Sequence, residues 1–96
     1  MIKVSAVCYV KEGSVDDFLA VAKELVEKTN TLDKGCIKYE LCKDTSDPLH
    51  YVVLEEWESQ SLLDEHMEAQ HFIDLVPKLA ELCSKDLELT VMEKVF

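Results

Sequence analysis

Three histidines, His50, His66 and His71, are the only side chains in this 96-residue sequence that titrate near neutrality without help from their surroundings. Each can act as a general base, a hydrogen-bond donor or a metal ligand, or sit in the fold as a satisfied structural residue. His66 and His71 are five positions apart. On an unbroken helix that spacing turns through about 140°, so the two imidazoles share a site only where the helix breaks between them. Trp57 stands just upstream, where an alternating segment gives way to a helical pattern, and it either lines a cavity or fills core volume. Glu55 and Glu56 point to opposite faces of a strand, so they are no carboxylate pair and at most one of them faces a cavity. Tyr9, Tyr39 and Tyr51 share odd parity with Trp57. In agreeing registers they form an aromatic wall suited to a flat aromatic ligand, or an aromatic core.

Other chemistries are excluded by what is missing. Gly13 and Gly35 are the only glycines, which leaves no G-x-G-x-x-G, no phosphate-cradling loop and no nucleophile elbow. Cys8, Cys36, Cys42 and Cys83 form no C-x-x-C pair, so neither a zinc knuckle nor a thioredoxin-type motif is present, and the four read as reduced structural thiols. Cys36 and Cys42 fall in one predicted strand, roughly 20 Å apart at about 3.3 Å per residue, too far to bridge. The net charge is −10 and there is no arginine. A polyanion is therefore repelled, nucleic acid is a poor partner, and the planar fork that clamps carboxylates and phosphates is lacking.

Ninety-six residues make one domain. No stretch approaches the roughly 20 apolar residues of a membrane span, and the amino terminus reads as a strand rather than a secretory leader, so a cytoplasmic address is expected. Residues 2–11 alternate as a first strand. Ser14 with Asp17 forms a capping signature for a helix that repeats Phe18, Val21, Ala22, Leu25, Val26 and Thr29 and ends near Thr31. A run from Gly35 to Lys43 and another from Leu49 to Trp57, joined by the polar Asp44–Pro48 loop, predict a β-hairpin. Ser59 or Ser61 caps a short helix carrying Leu62, Leu63, His66 and Met67. A further helical segment carries Phe72, Leu75, Val76, Leu79, Leu82 and Cys83, with a kink or restart expected at Pro77. Leu87–Phe96 alternates as a last strand. The order β-α-β-β-α-β is that of an α+β, ferredoxin-like sandwich.

Such a sheet, with helices on one side, should read as polar on the other. Here both parities are apolar: Ile2, Val4, Ala6, Val10, Val52 and Leu54 on one, and Val7, Tyr9, Ile37, Tyr39, Leu41, Tyr51, Val53 and Trp57 on the other. A second copy of the chain covers such a face through a two-fold axis, so a homodimer packed through its sheets, a dimeric α+β barrel, is expected.

The run Glu55-Glu56-Trp57-Glu58-Ser59, followed by Leu63-x-x-His66 and then Gln70-His71-Phe72, resembles the antibiotic biosynthesis monooxygenase (ABM) family. Val10-Lys11-Glu12-Gly13 leading to Asp17-Phe18, and Gly35-Cys36 ahead of Tyr39-Glu40-Leu41, extend the resemblance over nearly the whole chain. It implies a ferredoxin-like domain dimerising through its sheets. It also implies, most closely in the quinol monooxygenase type, oxidation of a small aromatic quinol or polyphenol by dioxygen with neither metal nor flavin. Such chemistry needs a dry pocket, a base beside the hydroxyl and aromatic walls. Carried over by position, His66 and His71 become base and hydroxyl-orienting groups, Trp57 a pocket wall and Phe72 its lid or floor, with Tyr51 and Tyr9 as further wall residues.

Other branches of the family fit less well. The asparagine and axial histidine of the haem-degrading branch would fall near Ala6 and near Val76 and Pro77, which disfavours haem. The branch that isomerises a phosphorylated sugar faces a chain with no arginine. A non-catalytic small-molecule-binding or stress-response dimer is the alternative from a different functional class.

Overall fold

The computed structural model describes residues 1–96 and builds the sheet from the inside out. Strand β1 (Ile2–Tyr9) buries every second residue, Val4, Ala6 and Cys8, as the alternation requires. Helix α1 (Val15–Leu32) buries Phe18, Ala22, Leu25 and Thr29, one stripe of a 3.6-residue repeat. The Ser14 hydroxyl makes no capping bond, contrary to the capping signature, and Asp16 and Asp17 in the first turn complement the helix dipole instead. Strands β2 (Cys36–Lys43) and β3 (His50–Trp57) form the expected hairpin. Its loop is tied by Asp44 Oδ1 accepting from Ser46 N and Asp47 Oδ1 accepting from Leu49 N. Helices α2 (Gln60–Glu68) and α3 (Gln70–Glu81) follow, then β4 (Glu88–Glu93). The sheet order is β2-β3-β1-β4, all antiparallel, and the architecture is ferredoxin-like α+β. No helix is long and apolar enough to cross a membrane.

The structure departs from the sequence pattern in two places. The two expected helical segments are separate and meet at Ala69, whose backbone is extended (φ −67°, ψ 146°), but no restart occurs at Pro77, because α3 runs on through it. Pro77 and Ile73 are both exposed, so the Ile73 carbonyl that loses its partner is left to water rather than to the core. The second departure concerns parity. Ile2 pairs with Trp57 and Tyr9 with His50, so odd residues of β1 share a face with even residues of β3. Tyr51, Val53, Glu55 and Trp57 therefore join Val4, Ala6 and Cys8 under the helices, and Tyr9 lies on the opposite side of the sheet.

A register shift between Cys36 and Lys38 lets Tyr39 and Leu41 join the helix-covered face, and Ile37 is left half exposed. The other face carries Val7, Val52, Leu54 and Met92, of which Leu54 and Met92 are exposed. All four thiols are free, and burial pushes those of Cys8 and Cys36 up to about 12 and about 11, so both stay protonated at neutral pH.

Candidate functional site

Asp33 caps the carboxyl end of α1, where its backbone N–H returns to the Thr29 carbonyl at 3.1 Å. Two residues on, Gly35 turns the chain with φ +81° and accepts from the Glu58 backbone N–H at 2.9 Å. A methyl group at Gly35 would run into the Leu62 side chain of α2, so only glycine lets this turn approach the helix. Gly35→Ala combines a left-handed backbone with that collision and is expected to cost roughly 2 kcal/mol in urea unfolding. A change within a few tenths would show that α2 shifts freely.

The turn carries the Asp33 carboxylate to the junction of α2 and α3. His66 Nδ1 donates to Asp33 Oδ2 at 2.5 Å, and His71 Nε2 donates to the same oxygen at 2.9 Å. All three side chains are at least nine-tenths buried. A carboxylate only accepts, so the bond fixes neutral His66 as the Nδ1–H tautomer. Its Nε2 is left unprotonated, buried and without a partner. Burial holds the His66 imidazole below the usual histidine range, against the opposing pull of Asp33, so the ring is neutral at pH 7.

The His66 ring lies in an aromatic box. Trp57 tilts over it at 4.6 Å between centroids, with Phe72 at 5.1 Å and Tyr39 at 5.3 Å, both edge-on. Trp57 is fully buried, and its Nε1 donates to Glu55 Oε1 at 2.9 Å. Burial pushes the Glu55 carboxyl up to about 7 despite that bond. Tyr39 is raised as well, by burial first and then by Glu55. Between sheet and helices, beside this box, lies a cavity of about 240 Å³ with Glu55 as its only charged lining residue. Phe72 and Tyr39 line the cavity and also pack on His66. A larger groove of about 440 Å³ between α1 and β2 is edged by the solvent-facing Lys23, Glu27 and Glu40 and contains no histidine or cysteine.

Trp57, His66, His71 and Phe72 are thus brought together, and the break at Ala69 supplies the condition on which His66 and His71 can share a partner. Tyr51 and Tyr9 are not brought to them. Tyr51 is buried under the helices against Phe18 at 5.2 Å, and Tyr9 stacks on His50 at 4.9 Å with Lys85 Nζ 4.4 Å from its ring centroid. Sequence reasoning missed Asp33, which sits in a short turn with no motif, and did not choose between Glu55 and Glu56. Glu56 faces the other way and pairs with Lys3 at 3.0 Å.

Asp33, His66 and His71 also offer three ligand atoms within 4.8 Å of one another, a donor set that suits a divalent metal. The two imidazole nitrogens, however, converge on one carboxylate oxygen at hydrogen-bond distances. Ligands about 2.1 Å from a tetrahedral ion stand farther apart than that, so these side chains are arranged as a hydrogen-bonded group.

The model of the family described as antibiotic biosynthesis monooxygenase matches residues 1–78, a span that includes Asp33, Glu55, Trp57, His66, His71 and Phe72. A crystal structure of an antibiotic biosynthesis monooxygenase is 37% identical over 99% of this chain and 99% of its own, with a TM-score of 0.92. A conserved protein from Methanosarcina mazei Go1 is 33% identical over 98% of this chain and 92% of its own, with a TM-score of 0.94. Rv0793 from Mycobacterium tuberculosis, at 21% identity, covers 99% of this chain and 95% of its own with a TM-score of 0.92, and speaks to the fold alone. No curated protein matches. The family match over most of the chain and the two relatives above 30% identity agree with the fold, and the chain belongs to the antibiotic biosynthesis monooxygenase family.

Proposed function

We propose that the protein is a monooxygenase that oxidises a small aromatic quinol or polyphenol with dioxygen and draws on no metal or organic cofactor. The observation that carries this reading is the buried, unpartnered Nε2 of a neutral His66 whose Nδ1–H is fixed by Asp33. An imidazole so held is a base for a phenolic O–H, and removing that proton makes the ring a far better electron donor to dioxygen. His71 shares the Asp33 oxygen and keeps the carboxylate, and through it His66, in place. Trp57 and Phe72 wall the reacting ring. Tyr9 and Tyr51, placed elsewhere, have no part in this reading.

For a quinol the balance closes without an outside reductant. One oxygen atom of O₂ replaces a ring hydrogen as a hydroxyl. The other leaves as water with two hydrogens, and the quinol becomes a hydroxyquinone. The substrate supplies all four electrons. A net charge of −10 and buried apolar walls favour a neutral aromatic over a phosphorylated one. In this reading the open sheet face, with Val7, Val52, Leu54 and Met92, packs against a second copy of the chain. Sedimentation at micromolar concentration is expected to show a dimer, and a monomer there would overturn that part.

Dioxygen consumption by metal-stripped protein, measured with a panel of reduced quinols and polyphenols above their autoxidation, tests the activity. Enzyme-dependent uptake without hydrogen peroxide, lost in His66→Ala, is the expected result. Uptake indifferent to that substitution would remove His66 from the chemistry. No uptake from folded protein that still binds a phenol would favour the non-catalytic binding dimer.

A further inference from the structure

Glu55 is a buried carboxyl with too few partners. It lies on β3 in register with Val4 of β1 and Tyr39 of β2, which turns its side chain under the helices, and it is only 7% exposed. No salt bridge reaches it: Lys3 and Lys38 pair with Glu56 on the other face, and Lys43, the remaining lysine of the neighbouring strands, lies in register with Tyr51 at the far end of β3. The indole N–H of Trp57 occupies Oε1, and no protein donor reaches Oε2. Such burial costs stability, and because Oε2 has no protein partner yet is not fully enclosed, a molecule in the cavity that Glu55 lines can complete it.

What completes it can be read from the cavity. Its volume of about 240 Å³ falls below the ~300–1,000 Å³ of drug-sized sites, which suits one or two fused rings. Leu25, Val53, Phe72, Val76 and Leu79 supply apolar walls, and its side at β4 is marked by the half-exposed Leu89. A ring in this space is held by apolar contact on its faces and can be oriented by one acceptor. An ammonium would bring three donors to that single acceptor and leave the rest unpaired, and a carboxylate or phosphate would meet a like charge. A hydroxyl brings one donor and no charge.

We propose that Glu55 is the recognition group of this cavity and that its free Oε2 accepts a hydrogen bond from the hydroxyl of an uncharged one- or two-ring phenol. The assignment of that phenol as a substrate rests on the monooxygenase reading, whereas the binding itself does not. Trp57 joins the two functions, since it donates to Glu55 at one edge and packs on His66 with its ring. His66 does not itself line the cavity, and Phe72 and Tyr39, which line it and pack on the His66 ring, together with Trp57 stand between the Glu55 carboxyl and the unpartnered imidazole.

The test is equilibrium binding by titration calorimetry, without oxygen, of 2-naphthol and of its methyl ether, which has the same rings and no donor. At about pH 8.5, where the Glu55 carboxyl is ionised, wild-type protein is expected to prefer the naphthol about tenfold or more, as for a hydrogen bond to a charged acceptor. Glu55→Leu, which removes the acceptor and keeps the volume, is expected to bring the ratio near one. Should that variant not fold, Glu55→Gln replaces a charged acceptor with a neutral one and is expected to lower the ratio several-fold. Equal binding of both probes by the wild type, no binding of either, or a ratio unchanged in the variants would overturn the proposal. A ratio that collapses in protein without oxygen uptake keeps Glu55 and removes the oxygenase reading. His66-dependent uptake with an unchanged ratio does the reverse.

Discussion

Replacing Asp33 by alanine is expected to lower the free energy of unfolding by about 3 to 5 kcal/mol, measured as a shifted urea midpoint with an unchanged slope. The substitution strips both imidazoles at once. His66 Nδ1 and His71 Nε2 lose their common acceptor in a region nine-tenths buried, and neither has an alternative protein partner at hand. Asp33→Asn keeps an acceptor oxygen of the same reach and should recover more than half of the loss. It should recover less of any oxygen uptake, because an uncharged amide supports an imidazolium poorly. A loss below about 1 kcal/mol for the alanine variant would mean that water replaces the carboxylate. The same group sets an acid limit. The His66 imidazole is held below the ordinary histidine range in the fold, so the unfolded chain takes up its proton first, and stability falls as pH drops through that interval.

Glu55→Gln should act in the opposite direction and raise stability by about 3 kcal/mol at pH 8, with little difference at pH 4. The folded chain holds this carboxyl at about 7 against the ordinary glutamate range near 4.5, so the unfolded chain releases the proton first and stability drains as pH rises between those values. Above pH 7 the full cost of a buried, unpaired carboxylate is present, and glutamine does not incur it while still accepting from Trp57 Nε1. Urea unfolding of both proteins from pH 4 to 8 reads the difference directly. A constant offset across that range would show that Glu55 is solvated in the fold. A residue that weakens the fold at physiological pH is consistent with a binding role for Glu55.

The elements were legible in the chain because each has one dominant period: two in Ile2–Tyr9, near 3.6 from Phe18 to Thr29. The relations between elements were less so. Parity along one strand says nothing of the neighbouring strand until the register is known, and the pairing of Ile2 with Trp57 placed Tyr9 away from Tyr51. The separation of the two helical segments is legible in the pattern, but its position at Ala69 carries no local signal, and the proline rule points to a further restart at Pro77 that an exposed proline inside α3 does not make. His66, His71, Trp57 and Phe72 stand out as residue types in a short span. Asp33 does not, because its partners are 33 and 38 positions away and only the turn at Gly35 brings it to them.

Trp57 is the sole tryptophan of the chain, buried with a carboxyl on its indole nitrogen and an imidazole against its ring. Its intrinsic fluorescence therefore originates inside the site and nowhere else. Ionisation of Glu55 changes the field along the indole and shifts the emission, whereas protonation of His66 brings a cationic quencher into ring contact and dims it. One emission spectrum recorded across a pH titration thus separates the two groups by colour and by intensity, with no label attached to the protein.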